Sequence, residues 1–434
     1  MDSFIPFILS QIVAAGESIV TVWGMVWWIA LPIIGLILFW EFWLLYVRIQ
    51  WSKKINWKVL EIRVPKNILK TPKAMEQIFA AAHALQQSHR FLKKYWEGEM
   101  DYKMSFELVG RAGGSHFYLR LPEQFRNLME SAIYSQYPEA EIIEADNYIA
   151  QMPAIIPNNT FDCYGAEQIL GNPNCYPIRT YPMFEESVEE QRIDPIALIM
   201  EAMSKLKDNE QIWIQLVICP IDDAWKKEGE EIINKMLGID VEKKGGGFFS
   251  GFQGFGFTLG ELLFAPFEHP SQEVKRKEEK QTNLKLLLSN PSTKNIVEGI
   301  RDKISKVAFE TTLRYVYIDK RETFKRDNIS SITGFLKQFN TQDLNYFKSN
   351  ILTLPIGMGL FFKERKASWR KRMLYERYCG MFSSPVPAGK APSILNIEEL
   401  ATLYHFPIAA VGTTELEKIT SRKGGPPASL PLVE

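Results

Sequence analysis

The sequence predicts an α+β protein in which an N-terminal transmembrane helix is followed by two ferredoxin-like units, the second with a long insertion. Three observations lead to this prediction. Residues 19–40 contain no charged side chain, a β-α-β-β-α-β order follows, and later residues repeat that order. These patterns divide the chain into a membrane anchor at 1–50, a first unit at 57–150, a second unit at 175–355 with its insertion at 221–307, and a helical C-terminal segment with a Pro/Gly-rich tail at 356–434.

The anchor is predicted from the uncharged run between Ile19 and Trp40. At 1.5 Å per residue this run would form a helix of roughly 33 Å, which is enough to cross the core of a bilayer. A secretory signal peptide would begin with basic residues, whereas only the acidic Asp2 and Glu17 precede this run. A core helix of a soluble protein is the alternative, although such helices are rarely apolar on all sides over this length. We therefore expect an uncleaved helix that crosses the inner cell membrane once.

The direction of the anchor follows from the basic residues beside it. Arg48, Lys53, Lys54 and Lys58 all lie on the C-terminal side of the apolar run. Because cytoplasmic flanks carry an excess of Lys and Arg, the soluble body is predicted to face the cytoplasm and the N-terminus to face outward. The lipid bilayer is thus the first predicted partner.

The first unit is predicted element by element from periodicity and turn residues. Val59–Val64 alternates as a strand, and Thr71 followed by Pro72 begins a helix. The Gly113-Gly114 pair marks a β-hairpin, a second amphipathic helix follows, and Glu141–Glu144 is the last strand. A β-α-β-β-α-β order predicts a four-stranded antiparallel sheet with both helices on one face.

The second unit is predicted by the same signals on both sides of its insertion. Tyr176–Met183 is the first predicted strand, and a helix begins after Asp194. Ile212–Ile218 and Leu313–Tyr317 alternate as strands, and Tyr346–Leu354 would complete the sheet. A second ferredoxin-like unit is the simplest interpretation, and an unrelated α+β domain is the alternative.

The insertion contains a segment, Gly245–Phe267, that is rich in glycine and phenylalanine. Glycine at this density disfavours a helix or a strand, while exposed phenylalanine rings are costly in water. Two interpretations stay open: a flexible loop whose rings rest on the body, or a loop that contacts the membrane surface or a partner. The rings concerned are those of Phe248, Phe249, Phe252, Phe255 and Phe257.

A basic stretch, Lys363–Arg372, contains Trp369 between its cations. Cations with an interleaved aromatic ring suit nucleic acid, anionic lipid or a partner protein, and they also occur on a solvated helix face. The sequence leaves these alternatives open for Arg365, Arg370 and Arg372.

The sequence contains no recognisable catalytic or cofactor motif. Lys390 is followed by an alanine, and Ser384 stands where a Walker A loop needs its first glycine. The five histidines and four cysteines lack the spacing of a zinc site, and 51 basic and 51 acidic residues leave no net charge to attract nucleic acid. We therefore predict no enzymatic activity, no metal and no cofactor, and reduced cysteines in a reducing compartment.

A family resemblance is carried by five stretches: Val64–Gln77, Gln124–Ile142, Tyr176–Glu185, Asn209–Ile218 and Ser393–Pro407. They resemble the membrane-anchored N-terminal region, a domain of unknown function, of bacterial type IV secretion or conjugation ATPases of the coupling-protein kind. In such relatives a LATLYHFP-like stretch and a proline-rich linker precede the ATPase domain, whereas this sequence ends at Glu434. The resemblance implies a membrane platform for a translocation motor. The departure implies a separately encoded motor or a shortened relative.

The leading functional prediction is a non-enzymatic, membrane-anchored scaffold of a secretion or DNA-transfer apparatus that positions a separately encoded ATPase at the cytoplasmic face. A C-terminal segment, Ile394–Pro407, is predicted to dock this ATPase unless its apolar residues pack against their own domain. A nucleic-acid-binding module and a membrane-bound enzyme without a local motif are the alternatives. The predicted docking residues are Leu395, Leu400, Leu403, Tyr404 and Phe406.

Overall fold

The structure, a computed structural model, describes residues 4–65, 70–87, 92–184, 194–237, 291–357, 362–387 and 389–408. The chain divides into two compact units. The first consists of Met1–Asn56 and Gln87–Asp101, and the second consists of Trp57–Gln86 and Tyr102–Glu434.

The first unit is built on one long helix, α1 (Phe4–Lys53), which continues through Pro32. Among the described residues, the stretch Leu31–Lys53 contains an 18-residue segment with a mean hydropathy of 1.7 and is long enough to cross a membrane. Its apolar side chains are largely exposed, and Leu36 and Phe42 reach 69% and 68%. The apolar helix predicted near the N-terminus is therefore present, and it extends well past the predicted end of the span.

The second unit is an α+β body whose first elements follow the predicted order. The hairpin between its second and third strands turns at Gly113 and Gly114, whose φ angles of 103° and 138° suit glycine because it has no Cβ. The elements are β1 (Trp57–Arg63), α2 (Lys73–Ala82), β2 (Met104–Arg111), β3 (Gly114–Pro122), α3 (Arg126–Gln136) and β4 (Glu141–Glu144).

The rest of the body repeats the alternation of strands and helices and then adds a helix, a short strand and a final helix. Its elements are β5 (Phe161–Leu170), α4 (Ala197–Ser204), β6 (Gln211–Pro220), α5 (Lys226–Met236), α6 (Pro291–Ser305), β7 (Ala308–Lys320), α7 (Asp327–Lys337), β8 (Phe347–Ser349), α8 (Lys363–Cys379), β9 (Ile394–Asn396) and α9 (Ile397–Leu403).

All described strands belong to one sheet, and every pair in it is antiparallel. The strand order is β4-β1-β3-β2-β6-β7-β5-β8, and β9 pairs with β7. The two halves of the sheet join through β2 and β6, where the register runs from Met104 opposite Ile218 to Gly110 opposite Ile212. Read from its outer edge, the first half has the order β4-β1-β3-β2 and the second has the order β8-β5-β7-β6. The two orders therefore correspond strand by strand.

Both faces of the sheet are covered by other parts of the body. On one face, helices α2, α3, α4, α7 and α9 contribute to the larger apolar core. On the other face, α8 packs Leu374, Tyr375 and Tyr378 around Trp213. The central strands are therefore buried on both sides, and burial of each large apolar side chain stabilises the fold by about 1.5–3 kcal/mol.

The structure differs from the predicted units in two respects. The strands expected in two separate units form a single sheet, because pairing of β2 with β6 satisfies backbone groups that would otherwise line two open edges. The strand predicted at Tyr176–Met183 is wrong, since this segment is irregular up to a 3-10 turn at Tyr181–Met183, and Pro177 and Pro182 lack the N–H that a central strand needs. The first strand of the second half is instead Phe161–Leu170.

Candidate membrane interface

Aromatic side chains gather where the uncharged run of α1 ends, at Trp40 and in the two turns that follow it. Trp40, Trp43 and Tyr46 are three residues apart and therefore follow roughly one side of the helix. The ring centroid of Trp43 lies 6.4 Å from that of Phe39 and 6.3 Å from that of Tyr46. Tryptophan and tyrosine in such a group are typical of the boundary between hydrocarbon and water, because each ring is apolar and carries one polar group.

A second segment, Leu92–Gly98, adds two more rings to this part of the helix. Its middle forms a single π-helical turn. Tyr95 stacks on Trp40 with ring centroids 6.2 Å apart, and Trp96 lies 5.5 Å from Trp43. Two stretches of chain that are far apart in the sequence therefore build one aromatic cluster.

Gly98 allows this turn to lie directly on α1. Its φ of 71° is left-handed, and a Cβ placed there would come within 2.5 Å of the Val47 carbonyl carbon and 2.6 Å of the Arg48 amide nitrogen. Any other residue would therefore displace the turn from the helix. Leu44 and Val47, in the same part of α1, are only 7% and 8% exposed.

The outer side of the cluster is apolar and charged, and Lys93 lies 4.0 Å from the Glu99 carboxylate. Leu92 is 73% exposed and Trp96 is 66% exposed, and Lys93 and Lys94 are exposed beside them. Such a group can enter a headgroup layer, because the apolar parts leave water while the ammonium groups stay hydrated. We call the following residues the aromatic collar: Trp40, Trp43, Tyr46, Leu92, Tyr95 and Trp96.

A nitroxide label can test whether the aromatic collar lies in lipid. In the chain reconstituted into vesicles, a label on Leu92→Cys should collide more often with dissolved oxygen than with a water-soluble nickel complex, because oxygen concentrates in hydrocarbon. A label on Ser135→Cys, at an exposed position of α3, should show the reverse.

The unsubstituted chain, whose four thiols are buried or half-buried, gives the background for this measurement. Gly98→Ala should shift the Leu92→Cys label toward water, because the turn no longer rests on α1. Equal accessibility at Leu92→Cys and Ser135→Cys would contradict an interface at the collar.

The three arginines of the predicted basic patch have different surroundings on α8. Arg370 donates from Nη1 to two main-chain carbonyl oxygens of the preceding loop, at 3.0 and 3.1 Å. Arg372 pairs with Glu376 at 2.9 Å. The Arg365 guanidinium lies 5.7 Å from the centre of the Phe362 ring. The three side chains therefore make separate contacts, and the more exposed part of the stretch is its N-terminal half.

The five residues predicted to dock an ATPase lie in the core of the body. Tyr404 and Phe406 pack against Phe117, with ring centroids 5.7 and 5.1 Å away. Because the chain's own residues cover these side chains, they leave no surface for a partner, and their placement does not support the predicted docking role. The residues, all between 0% and 6% exposed, are Leu395, Leu400, Leu403, Tyr404 and Phe406.

A buried ion pair holds the same C-terminal segment in place. Lys303 Nζ lies 3.0 Å from the Glu399 carboxylate, and both side chains are fully buried. Lys303 also donates to two main-chain carbonyl oxygens, while Glu399 accepts from the N–H groups of Ile178 and Asn396. Burial lowers the pKa of Lys303 and raises the pKa of Glu399, so the loss of hydration outweighs the attraction between the two charges.

A second carboxylate, that of Glu107, is buried in the middle of the sheet. It accepts hydrogen bonds from Ser105 Oγ, Gln215 Nε2 and Tyr148 OH, each at 2.7 Å. The Arg120 guanidinium lies 3.3 Å away, and all five side chains are buried. A buried carboxylate with this many donors stabilises the core.

Three cysteine thiols of the body, those of Cys163, Cys175 and Cys379, are poor nucleophiles. None of the four cysteines, all of which lie in the described ranges, forms a disulfide. Burial raises the pKa of Cys163 to about 12 and the pKa of Cys175 and Cys379 to about 11, which keeps these thiols protonated. In the part of the chain that the structure describes, no cluster of three or more potential ligands could hold a metal ion.

A cleft of about 250 Å³ lies beside residues 384–391, the segment that lacks the first glycine of a Walker A loop. Ser384, Val386 and Lys390 line it. Lys390 donates to the carbonyl oxygens of Leu170 at 3.2 Å and Gly171 at 2.8 Å. Its ammonium group is therefore bonded to the main chain, where it stabilises the loop.

Two predicted features lie outside the described residues. The first is the glycine- and phenylalanine-rich loop, and the second is the Pro/Gly-rich tail. Both interpretations of the loop stay predictions. The ring positions concerned are Phe248, Phe249, Phe252, Phe255 and Phe257.

A family match covers most of the chain. Residues 48–417 match the family described as Domain of unknown function (DUF8128). The match takes in the C-terminal end of α1, the turn that carries Tyr95 and Trp96, and the described part of the body. No curated protein matches the chain. Because the match spans well over half of its length, this protein belongs to the DUF8128 family of domains of unknown function.

Proposed function

We propose that this protein is a non-enzymatic membrane platform, in which α1 crosses the bilayer once and the α+β body acts as a scaffold at the membrane surface. The observation that carries the proposal is the aromatic collar, where Tyr95 and Trp96 pack on Trp40 and Trp43 at the end of the uncharged run of α1. In water this arrangement would leave large rings exposed, whereas at a bilayer surface the same rings are favourably placed.

The proposed orientation places the N-terminus outside and the body in the cytoplasm. Arg48, Lys53 and Lys54 follow the uncharged run 19–40, and the turn of the collar adds Lys93 and Lys94 beyond the same end of that run. The positive-inside rule favours the cytoplasm for an end that carries this many cations.

The proposed body consists of two ferredoxin-like units joined edge to edge. The first half runs β1, α2, β2, β3, α3, β4, and the second runs β5, α4, β6, β7, α7, β8 with α5 and α6 inserted. The orders β4-β1-β3-β2 and β8-β5-β7-β6 correspond strand by strand. This agreement supports the split βαβ pattern in both halves.

The proposed partner is a separately encoded ATPase of a secretion or DNA-transfer apparatus, as the resemblance of the five sequence stretches suggests. A scaffold role agrees with the chemistry of the body, because its carboxylates at Glu107 and Glu399 are committed to internal contacts. The nucleic-acid alternative has less support, because helices cover both faces of the sheet where bases would stack.

Cross-linking in native membranes tests this proposal. A photoreactive residue at Tyr134 or Leu198, which are 42% and 46% exposed on the body, should capture an ATPase in cells that contain such an apparatus. The same residue at Phe42, in the apolar stretch, should capture lipid instead. Failure to recover an ATPase from any body position would contradict the partner, and recovery of the chain in the cytosol would contradict the platform.

A further inference from the structure

Exposed apolar side chains of the body are concentrated near the start of α8. Phe362 and Trp369 are 69% and 61% exposed, and Ile351, Leu352 and Ile356 in the preceding loop are 55%, 45% and 47% exposed. Side chains of this size are usually buried in a soluble domain, and a group of them on one surface marks an interaction site.

Cations are interleaved with the two aromatic rings along α8. Phe362, Arg365 and Trp369 are three or four residues apart, so they lie on one face of the helix. Arg365 lies against the Phe362 ring, and Lys366 is exposed beside it. The stretch Lys363–Arg372 has a single acidic residue among six basic ones. This face is therefore both apolar and basic.

Arg370 fixes the apolar loop beside the helix. Its Nη1 donates to the carbonyl oxygens of Leu354 at 3.0 Å and Ile356 at 3.1 Å. The backbone at Gly357 is so close to the carbonyl of Lys363 that a Cβ would not fit between them. Loop and helix therefore form one surface, which we call the α8 patch: Leu352, Ile356, Phe362, Arg365, Lys366 and Trp369.

We propose that the α8 patch binds the anionic phospholipid headgroups of the membrane in which α1 is anchored. This inference rests on the proposed anchoring of α1. The chain leaves α1 at Lys53 and enters β1 at Trp57, and a connection of that length spans at most roughly 14 Å. This short connection ties the start of β1 to the end of α1, and aromatic rings with cations are the side chains that a headgroup layer attracts.

The test uses the full chain in vesicles, with an environment-sensitive dye on Ser368→Cys, an exposed position next to Trp369. In vesicles of equal parts phosphatidylglycerol and phosphatidylcholine, the dye should be shielded from an aqueous quencher more strongly than in pure phosphatidylcholine. Because each cation near an anionic surface favours the bound state by about fivefold, Arg365→Glu with Lys366→Glu should return quenching to its value in neutral lipid.

A matched control has the same change in charge outside the patch. Lys207→Glu with Lys337→Glu, at exposed positions of the body, should leave the shielding unchanged. Phe362→Ser with Trp369→Ser should weaken the shielding, and circular dichroism shows whether each variant is folded.

Flotation of the vesicles reports on the anchor separately from the dye. A chain that does not float with neutral vesicles contradicts anchoring by α1, while the dye in anionic vesicles tests the patch in either case. Equal quenching in the two kinds of vesicle would overturn the proposal. A dye that responds to single-stranded DNA but not to anionic lipid would also overturn it.

Discussion

Two arginines in α1, Leu36→Arg and Leu38→Arg, should release the protein from membranes. An arginine at the centre of a spanning helix costs about 2.5–3.5 kcal/mol, and Leu36 and Leu38 lie within about one turn of the collar at Trp40, so the pair opposes insertion by at most roughly 5–7 kcal/mol. Leu36 and Leu38 are 69% and 53% exposed, so the expected loss comes from lipid contact and not from protein packing. When membranes are washed with alkaline carbonate, the variant should move from the pellet to the supernatant.

The matched control places the same two charges beside Arg48 and Lys53. Gln50→Arg with Ser52→Arg changes exposed positions at the basic end of α1, where water and headgroups are available. This variant should remain in the carbonate-washed pellet. If Leu36→Arg with Leu38→Arg also stayed in the pellet, a spanning α1 would be ruled out.

The second large effect is expected at the buried ion pair of the body. Lys303→Met should lower the free energy of unfolding by about 3–5 kcal/mol, because it leaves a buried carboxylate without its counter-ion. Lys303 and Glu399 are both fully buried, so water cannot replace the lost ammonium group. Chemical unfolding of the full chain in detergent, followed by circular dichroism, measures the change.

Adding Glu399→Gln to Lys303→Met separates lost charge from lost packing. The glutamine removes the uncompensated charge and keeps an oxygen that can accept from the N–H of Ile178 or Asn396. The double variant should therefore be more stable than Lys303→Met alone. If the losses in free energy of unfolding caused by Lys303→Met and by Glu399→Gln alone simply added in the double variant, the two charges would not be coupled, contrary to this expectation.

The first half of the body was predictable because its elements have local signals. Strand β4 lies at Glu141–Glu144 as predicted, and the hairpin turns at Gly113 and Gly114. Strand β5 was missed, because Glu167 in its middle is fully buried and pairs with Arg314 at 3.4 Å. A buried charge interrupts the apolar pattern on which strand prediction depends, and its partner lies on another strand.

The candidate interface was predictable only in part. The apolar run and the tryptophans of α1 are contiguous in the sequence, whereas Tyr95 and Trp96 reach the helix across a long stretch of chain and depend on Gly98. A signal was present, since a Tyr-Trp pair after two lysines is typical of an interfacial segment. On α8, the contacts of Arg370 with the preceding loop depend on the fold and could not be read from the sequence, whereas the pairing of Arg372 with Glu376 is an i,i+4 contact within the helix.

The two ends of the sheet limit how another protein can bind. Among the strands that the structure describes, the outermost are β4 and β8, which have four and three residues, and β4 carries a glutamate at each end. Strand addition needs a longer row of free N–H and C=O groups, so both ends resist it. Copies crowded in the plane of a membrane are therefore protected from edge-to-edge aggregation. A cognate protein should recognise this body through side chains on its helices and loops.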